Sequence, residues 1–343
     1  MVYDIEVAIA GARASAAYMA ERNIRGGWVN AVLVDRALAR GLSVEPDARR
    51  RVSLSDGRQR HWFNAGNSSM NRAMARRCAH HKEVTSATLR AQGVFAPQNL
   101  VFEAGEAARA WGWVKPVLPA VLKPQSAKSG TMVYVGVAEV IAFHEAFNAI
   151  AAEYGRVLVE QYVPGIEHRV LMIGGRVVAV ARRVPAHVVG DGRSDVASLV
   201  EQKNADRLAA ANPLHNEIKL DDMVMRELQK DKMTLASVPR LGQLVSLRAT
   251  SNVHTGGDVV DATDEISSEE TQFAESAARA LPGLYMGGFD VLLARDGKGS
   301  EPCVIEVNAS PVIAMHHFPA RGQIRDVAGE LLSAMFGDHG GSA

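Results

Sequence analysis

The stretch GGFDVLLARDGKGSEPCVIEVNASP, residues 287–311, decides the fold predicted for this chain. Two apolar runs, 289–293 and 304–308, each carry one acidic residue and flank a polar turn at 295–299. Short apolar runs on both sides of a glycine-containing turn predict an antiparallel hairpin. If the strands pair about position 298, Asp290 lies opposite Glu306, with Cβ atoms ~5 Å apart.

The two acids and Asn308 form a candidate metal site. Asn308 lies two residues beyond Glu306, so strand alternation points both side chains to the same side. Two carboxylates at this separation repel each other unless a cation compensates them. Mg²⁺ (or Mn²⁺) prefers oxygen ligands and keeps substrate phosphates in its shell. The alternative is an exposed hairpin with ordinary surface acids, which the apolar residues between the acids disfavour.

Lys123 ends the apolar run 121–124 and marks a candidate phosphate site. An ammonium at the end of a buried strand suits a phosphate oxygen better than it suits packing. The loop 125–130 follows and offers backbone N–H groups with hydroxyl and ammonium side chains as a phosphate cover, namely Ser126, Lys128, Ser129 and Gly130. An ordinary polar turn is the alternative interpretation.

A third candidate region follows the strand predicted over 157–163. Backbone groups at Gln161, Tyr162 and Val163 can hydrogen-bond an adenine edge, and Glu160 and Glu167 flank them. Glu167 can accept from a pair of ribose hydroxyls. The alternative interpretation is that both glutamates are ordinary solvated acids at the end of a strand.

The remaining elements are predicted from apolar patterns and glycine turns. Gly174-Gly175 between two β-like runs predicts a tight hairpin, because the favoured turns need positive φ. The start of the chain predicts a strand over residues 3–10 and a helix over 12–22. Residues 69–92 have a helical pattern, with Thr85 as a possible N-cap.

Composition excludes several classes of function. Lys plus Arg and Asp plus Glu both number 38, so no net charge attracts nucleic acid or an anionic membrane. The two cysteines, Cys78 and Cys303, are too few for a disulfide framework and have no metal-binding spacing. No apolar run approaches the ~20 residues of a membrane helix. We expect a cytoplasmic protein.

Taken in order, these segments resemble the ATP-grasp superfamily. Within it the chain is most similar to the ATP-grasp module of cyanophycin synthetases and bifunctional glutathione synthetases, over about residues 65–330. The strings that carry the resemblance are His81-Lys82, 121–124, Gly165-Ile166-Glu167-His168-Arg169-Val170-Leu171, 183–192, Asn252-Val253-His254-Thr255-Gly256-Gly257, and 306–311 followed by His316. One departure is His81, which stands where an acid commonly precedes the lysine.

The resemblance implies a role for each matching residue. Lys82, Lys123 and the 125–130 loop bind the ATP phosphates, and Glu160, Gln161, Tyr162, Val163 and Glu167 bind adenosine. Asp290, Glu306 and Asn308 bind magnesium. Arg248 steadies the phosphoryl group, with Lys123 and Asn308 as further catalytic residues. Arg183 serves phosphate or substrate, and Asn252, His254, Gly256, Gly257 and His316 line the substrate side.

The resemblance also implies an α+β (α/β) fold in which two lobes clasp ATP. The expected parts are a pre-ATP-grasp region (1–75), an N-terminal lobe (76–165) whose phosphate lid spans 120–165, a C-terminal lobe (166–335) and a disordered tail (336–343). We expect no membrane or nucleic-acid partner, and a homodimer is a family-level expectation.

The implied reaction joins a carboxylate to an amine. ATP phosphorylates the carboxylate, the acyl phosphate reacts with the amine, and ADP and phosphate are released. Amino acids or small peptides are the expected substrates. A phosphotransferase that stops at a phosphorylated product and a non-catalytic nucleotide-binding subunit are the alternatives.

Overall fold

The structure, a computed structural model, describes residues 4–126, 132–248, 251, 253–295, 297–299 and 301–337, with the backbone alone at His254. The chain divides into two compact units. The first unit comprises Met1–Arg60, Ala181–Thr263 and Val312–Leu332, and the second comprises His61–Val180, Asp264–Pro311 and Ser333–Ala343. The domain boundaries expected from the sequence stay predictions, and the predicted tail lies outside the described residues from residue 338 onward.

Helices and strands are interspersed along the chain. The helices are α1 (Ile5–Glu21), α2 (Trp28–Ala39), α3 (Ala73–His80), α4 (Lys82–Ala91), α5 (Ala107–Val114), α6 (Val140–Tyr154), α7 (Val196–Ala210), α8 (Asp222–Lys230), α9 (Ser268–Arg279), α10 (Ala314–His317) and α11 (Val327–Phe336). The strands are β1 (Ser43–Pro46), β2 (Val52–Ser55), β3 (Arg60–Asn64), β4 (Asn67–Ser68), β5 (Asn99–Glu103), β6 (Ala120–Pro124), β7 (Tyr134–Val137), β8 (Arg156–Gln161), β9 (Ile166–Ile173), β10 (Arg176–Val184), β11 (His187–Val189), β12 (Leu244–Ser246), β13 (Asp258–Asp261), β14 (Met286–Leu293) and β15 (Cys303–Asn308). Short 3-10 helices lie at Lys115–Val117, Val253–Thr255 and Thr263–Glu265.

The first unit begins with a helix where the sequence predicted a strand. The Asp4 side chain accepts a hydrogen bond from the Glu6 N–H and caps α1. Ala8, Ala12, Ser15 and Met19 are buried, and their spacing of four, three and four residues is the helical period. The predicted strand over 3–10 is therefore wrong, because a short apolar run does not distinguish a strand from the start of an amphipathic helix.

A small core in the first unit supports the two-stranded sheet of β11 and β12. Val188 and Val245 are register partners in this antiparallel pair, and both are buried. Helices α7 and α8 contribute Val196, Val200, Val224 and Leu228 to the same cluster. Elsewhere in this unit, β13 pairs antiparallel with the end of β10, Ala181 to Val184.

The second unit contains two antiparallel sheets. One has the order β5-β8-β6-β7, and the other contains β10, β9, β14 and β15 side by side. Phe143, Phe147 and Ile150 of α6 pack against the first sheet. The turn between β9 and β10 has positive φ at Gly174 and Gly175, as the Gly-Gly pair predicted. These mixed elements confirm the predicted α+β class.

Residues 69–92 of the second unit form two helices, as their pattern indicated, but Thr85 is not a cap. It lies inside α4, where its hydroxyl donates to the Cys78 carbonyl at 2.8 Å. Helix α4 instead begins at Lys82, which places this lysine in its first turn. Across the described part of the chain, none of the helices combines the length and apolar character needed to cross a bilayer.

Candidate active site

A buried ion pair joins β6 and β8 of the second unit. Lys123 Nζ lies 2.9 Å from Glu160 Oε1, and these side chains are 11% and 4% exposed. Asn99 Nδ2 donates to the other carboxylate oxygen of Glu160 at 3.2 Å. Desolvation by burial acts to lower the pKa of Lys123, but the carboxylates of Glu160, Glu306 and Asp290 outweigh it and raise that pKa. Lys123 is therefore held as a cation.

A second buried ion pair lies between β9 and β14. Arg169 Nε donates to Asp290 Oδ1, and Arg169 Nη2 lies 2.9 Å from Asp290 Oδ2. Gly288 leaves the room that the arginine needs, since a Cβ there would lie 3.0 Å from Arg169 Cδ. Burial opposes the charge on Arg169, yet the carboxylates of Asp290 and Glu306 raise its pKa. The two-point contact fixes the Asp290 carboxylate in one orientation.

The register of the β14–β15 hairpin confirms the sequence prediction. Asp290 and Glu306 are directly opposed Cα partners, and Gly288 is opposite Asn308. The side chains of Glu306 and Asn308 are half-buried, while the intervening Val307 is buried. Glu306 Oε2 lies 3.5 Å from Nζ of Lys82, in the first turn of α4. The hairpin therefore brings two carboxylates and an amide together beside a lysine.

Acidic and basic side chains thus meet in pairs in this part of the second unit: Lys123 with Glu160, Arg169 with Asp290, and Lys82 with Glu306. From the sequence, a metal alone was expected to compensate the charges of the two opposed acids. The structure corrects it, because Arg169 and Lys82 already supply cations to these acids.

A metal can still fit this donor set. Within the described ranges, no group of three or more His, Cys, Asp or Glu side chains is arranged to hold a metal ion. The candidate set contains two carboxylates, Asp290 and Glu306, and the amide of Asn308. Hard oxygen donors of this kind suit Mg²⁺, which takes few protein ligands and completes its shell with phosphate oxygens and water.

A cavity of about 130 Å³ lies where the sequence predicted adenosine binding. Its lining comprises Phe95, Glu301 and the segment Gln161, Tyr162, Val163 and Pro164. The backbone N–H groups of Gln161 and Tyr162 are bonded to the carbonyls of Gln98 and Pro119. An aromatic ring and a strand end with polar edges suit a flat heteroaromatic group.

Other residues predicted in the second unit are only partly described. Glu167 is half-buried on β9, where its register partner is Leu292 of β14. Ser126 is exposed and lies two residues beyond the end of β6. Lys128, Ser129 and Gly130 of the predicted lid lie outside the described residues.

In the first unit, Arg248 forms a two-point ion pair with an acid that the sequence did not single out. Its Nη1 and Nη2 lie 2.7 and 2.8 Å from the Asp221 carboxylate oxygens. Arg248 is 8% exposed. Asp221 also caps α8 through the backbone N–H groups of Met223 and Val224. Arg248 is therefore fixed by the start of a helix.

The remaining substrate-side residues are also in the first unit. Arg183 lies on β10 opposite Val259, and His316 is buried in α10. Gly256 has a φ of +90° and precedes Gly257. Asn252 and the side chain of His254 lie outside the described residues.

Three residues of the second unit were missed as site residues by the sequence analysis. Arg169 stands in the apolar run 168–173, and a cation in a buried strand was the available signal. Phe95 and Glu301 line the cavity from distant parts of the sequence. Nothing in the local pattern indicated either one.

Known proteins are similar to this chain in sequence. No family model matches the chain. Cyanophycin synthetase of Nostoc sp. is 36% identical over 264 residues, which is 74% of this chain and 29% of that protein. The glutathione biosynthesis bifunctional protein of Mannheimia succiniciproducens is 35% identical over 267 residues, 75% of this chain and 35% of that protein. The chain thus spans about a third of the length of these curated relatives.

A solved structure gives the same result for the fold. The bifunctional glutathione synthetase from Pasteurella multocida superposes with a TM-score of 0.70 and 28% identity, over 91% of this chain and 44% of that one. The similarity therefore covers most of the chain and confirms the fold class expected from the sequence. The chain belongs to the ATP-grasp superfamily, where it is similar to segments of cyanophycin synthetases and bifunctional glutathione synthetases.

Proposed function

We propose that this chain is an ATP-dependent carboxylate–amine ligase. It forms an amide bond between amino acids or small peptides through an acyl phosphate and releases ADP and phosphate. Support comes from relatives whose names describe the synthesis of cyanophycin and of glutathione. The homodimer and the cytoplasmic location expected from the sequence remain predictions.

The observation that carries this proposal is the set of paired charges in the second unit. Lys82, Lys123 and Arg169 meet Glu306, Glu160 and Asp290. Phosphoryl transfer needs both signs of charge, because cations bind phosphate oxygens and carboxylates hold the metal that bridges them. A site that only packed or only bound an anion would not need three carboxylates.

Each residue has a role in binding and alignment. Lys82 and Lys123 would contact phosphate oxygens as point charges. Asp290, Glu306 and Asn308 would hold Mg²⁺, which neutralises charge on the transferring phosphate when it is bound. Arg169 orients the Asp290 carboxylate. Gln161, Tyr162 and Val163 line the cavity proposed for adenine, and Glu160 and Glu167 are assigned to the adenosine side.

The chemistry proceeds in two balanced steps. A carboxylate oxygen of the acid attacks the γ-phosphorus, and the bond from that phosphorus to the β-γ bridging oxygen breaks to release ADP. The amine nitrogen then attacks the acyl carbon, the carbon–oxygen bond to phosphate breaks, and the amine loses a proton. The role of Arg248 at the phosphoryl group stays a prediction from the sequence, because both of its Nη atoms bind the Asp221 carboxylate.

Phosphate release from a matrix of amino acids and dipeptides tests the proposal. The full chain is incubated with ATP, Mg²⁺ and each acid–amine pair, and products are identified by mass spectrometry. We expect at least one pair to stimulate phosphate release and give a product joined by an amide bond. No release above the level of the Asp290→Asn variant would contradict the proposal.

Product mass spectrometry, together with nucleotide-binding measurements, separates the phosphotransferase from the non-catalytic subunit. A stable phosphorylated product without an amide would indicate a phosphotransferase. Nucleotide binding without turnover, unaffected by Asp290→Asn or Glu306→Gln, would indicate a non-catalytic subunit.

A further inference from the structure

Arg207 of α7 makes three side-chain hydrogen bonds, two of which reach the segment 253–258. Its Nη1 donates to the Asn216 carbonyl at 2.6 Å. Its Nη2 donates to the Gly256 carbonyl at 2.8 Å and to Asp258 Oδ1 at 2.5 Å. Arg207 is buried. One side chain therefore holds two main-chain carbonyls and a carboxylate.

Neighbouring side chains hold the same segment from other positions. Lys203, one turn earlier on α7, donates to Asp258 Oδ2 at 2.8 Å and to the His187 carbonyl at 2.9 Å. Asn216 Nδ2 donates to the Val253 carbonyl at 3.2 Å. Contacts thus reach Val253, Gly256 and Asp258, the two ends and the middle of the segment.

The charges around Asp258 favour the ionised form of its carboxylate. Desolvation by burial acts to raise the pKa of Asp258, but Lys203 and Arg207 outweigh it and lower that pKa. His187 and His215 face the same group, and burial lowers the pKa of both. The carboxylate therefore stays available to both cations.

The surroundings of Gly256 leave no space for a side chain at this position. Its φ is +90°, and a Cβ there would lie 2.6 Å from Ile218 Cγ1 and 3.3 Å from Arg207 Nη1. An ion pair that served only stability would need the Asp258 contact alone. Arg207 also donates to the carbonyl of Gly256, in the segment that the resemblance to the ATP-grasp superfamily places on the substrate side.

We propose that Arg207 is a positioning residue that holds the Gly256-Gly257 backbone in the conformation that binds the acid or amine substrate. The effect on substrate rests on the proposed function, whereas the effect on the segment does not. A small displacement of a substrate-binding backbone can cost about 10²-fold in rate.

Hydrogen–deuterium exchange in the full chain tests the effect on the segment. Arg207→Lys keeps the charge beside Asp258 but cannot span both carbonyls. We expect peptides that cover residues 253–258 to exchange at least about tenfold faster, while peptides of β8 are unchanged. Arg193→Gln, which removes an exposed arginine of the same unit, is the control and leaves both unchanged. Exchange within about twofold of the unaltered protein would overturn the proposal.

Lys203→Gln and Asn216→Ala keep the test decisive if Arg207→Lys does not fold. Each removes one outer contact to the segment, and we expect faster exchange at residues 253–258 in both. Unchanged exchange in both variants would also overturn the proposal.

Kinetics with the acid–amine pair found in the substrate matrix test the effect on substrate. For Arg207→Lys we expect the KM of the acid or the amine to rise at least about tenfold. The Kd for ATP, measured by calorimetry without the other substrates, should change less than about twofold. An unchanged KM for both organic substrates would contradict the role in binding. If no pair gives product, the proposed function fails, and the exchange experiment still decides whether Arg207 holds the segment.

Discussion

Lys123 Nζ and Glu160 Oε1 lie 2.9 Å apart between neighbouring strands, and both side chains are buried. The lysine is the one proposed to bind phosphate, and the acid is one proposed for the adenosine side. Because the pair is removed from water, each charge depends on the other for its stability. Removing one charge should therefore destabilise the fold more than removing both charges.

Lys123→Met leaves Glu160 buried without its cation. We expect the free energy of unfolding to fall by about 3 kcal/mol, since breaking a buried pair on one side is costly. The double variant Lys123→Met/Glu160→Gln removes both charges and should recover at least half of that loss. Urea denaturation measures both changes. Equal midpoints for the single variant and the unaltered protein would show that the pair is not buried as described.

ATP binding should not recover with stability in this series. Calorimetry with ATP and Mg²⁺ should show no binding to either variant, because the proposed phosphate contact of Lys123 is absent from both. Binding by the stable double variant would remove Lys123 from the nucleotide site.

Asp290→Asn keeps the shape of the side chain and removes the charge that Arg169 faces. We expect ligase activity to fall by at least about 100-fold. Losing a residue that only supports a metal ligand costs up to about 100-fold, and Asp290 is proposed as a ligand itself. Mg²⁺-dependent nucleotide binding, measured by calorimetry, should weaken as well.

A matched control exists in the same unit. Arg295 contacts Glu270 at two points, 2.6 and 2.8 Å, outside the proposed site. Glu270→Gln removes a two-point pair whose side chains are 25% and 13% exposed, against 8% and 5% for Arg169 and Asp290, and should leave activity within about twofold. Equal loss in both variants would mean that the Asp290 effect comes from stability alone.

His317 gives the stability of the protein a defined pH dependence. Burial lowers its pKa to about 4, against about 6.5 in an unfolded chain. Between these values the unfolded state binds more protons, so the free energy of unfolding falls as the pH falls from 6.5 towards 4 and this contribution then levels off. At ~1.4 kcal/mol per pKa unit, the full effect is about 3 kcal/mol.

Denaturation at several pH values checks this dependence. The His317 Nε2 atom accepts the Ala328 N–H at 3.1 Å, which requires the neutral ring. His317→Gln should flatten the stability profile between pH 4 and 6.5, while the exposed His80→Gln should not. A profile that His317→Gln leaves unchanged would refute the assignment.

Cys303 should resist alkylation. Burial, with smaller contributions from Glu160 and Glu301, raises the pKa of its thiol to about 12, and the thiolate is the reactive form. Iodoacetamide at pH 8 should therefore modify the half-buried Cys78 and leave Cys303 unmodified in the folded protein. Mass spectrometry of tryptic peptides gives the ratio, and urea-unfolded protein is the control in which both react. Equal modification in the folded state would contradict the burial of β15.

The sequence predicted local pairings better than distant ones. Asp290 and Glu306 lie opposite each other because a short turn joins the two apolar runs that carry them. The register of this hairpin could therefore be predicted from the sequence pattern. The pairing of Lys123 with Glu160 was not, since 37 residues separate them and strand order decides their contact. The strand predicted at the start of the chain was wrong although the signal was local, because its apolar residues fit the period of a helix as well as that of a strand.

By itself the sequence indicated candidate site residues, namely the acids in the last hairpin and the lysine at a strand end, and the order of motifs shared with the superfamily. Only the tertiary structure decided how these charges are shared, with Arg169 on Asp290, Glu160 on Lys123 and Asp221 on Arg248. Periodicity records which face of an element a side chain occupies. It does not record which distant element packs against that face. Because a buried charge is costly without a partner, the residues on that distant element decide how stable each charge is.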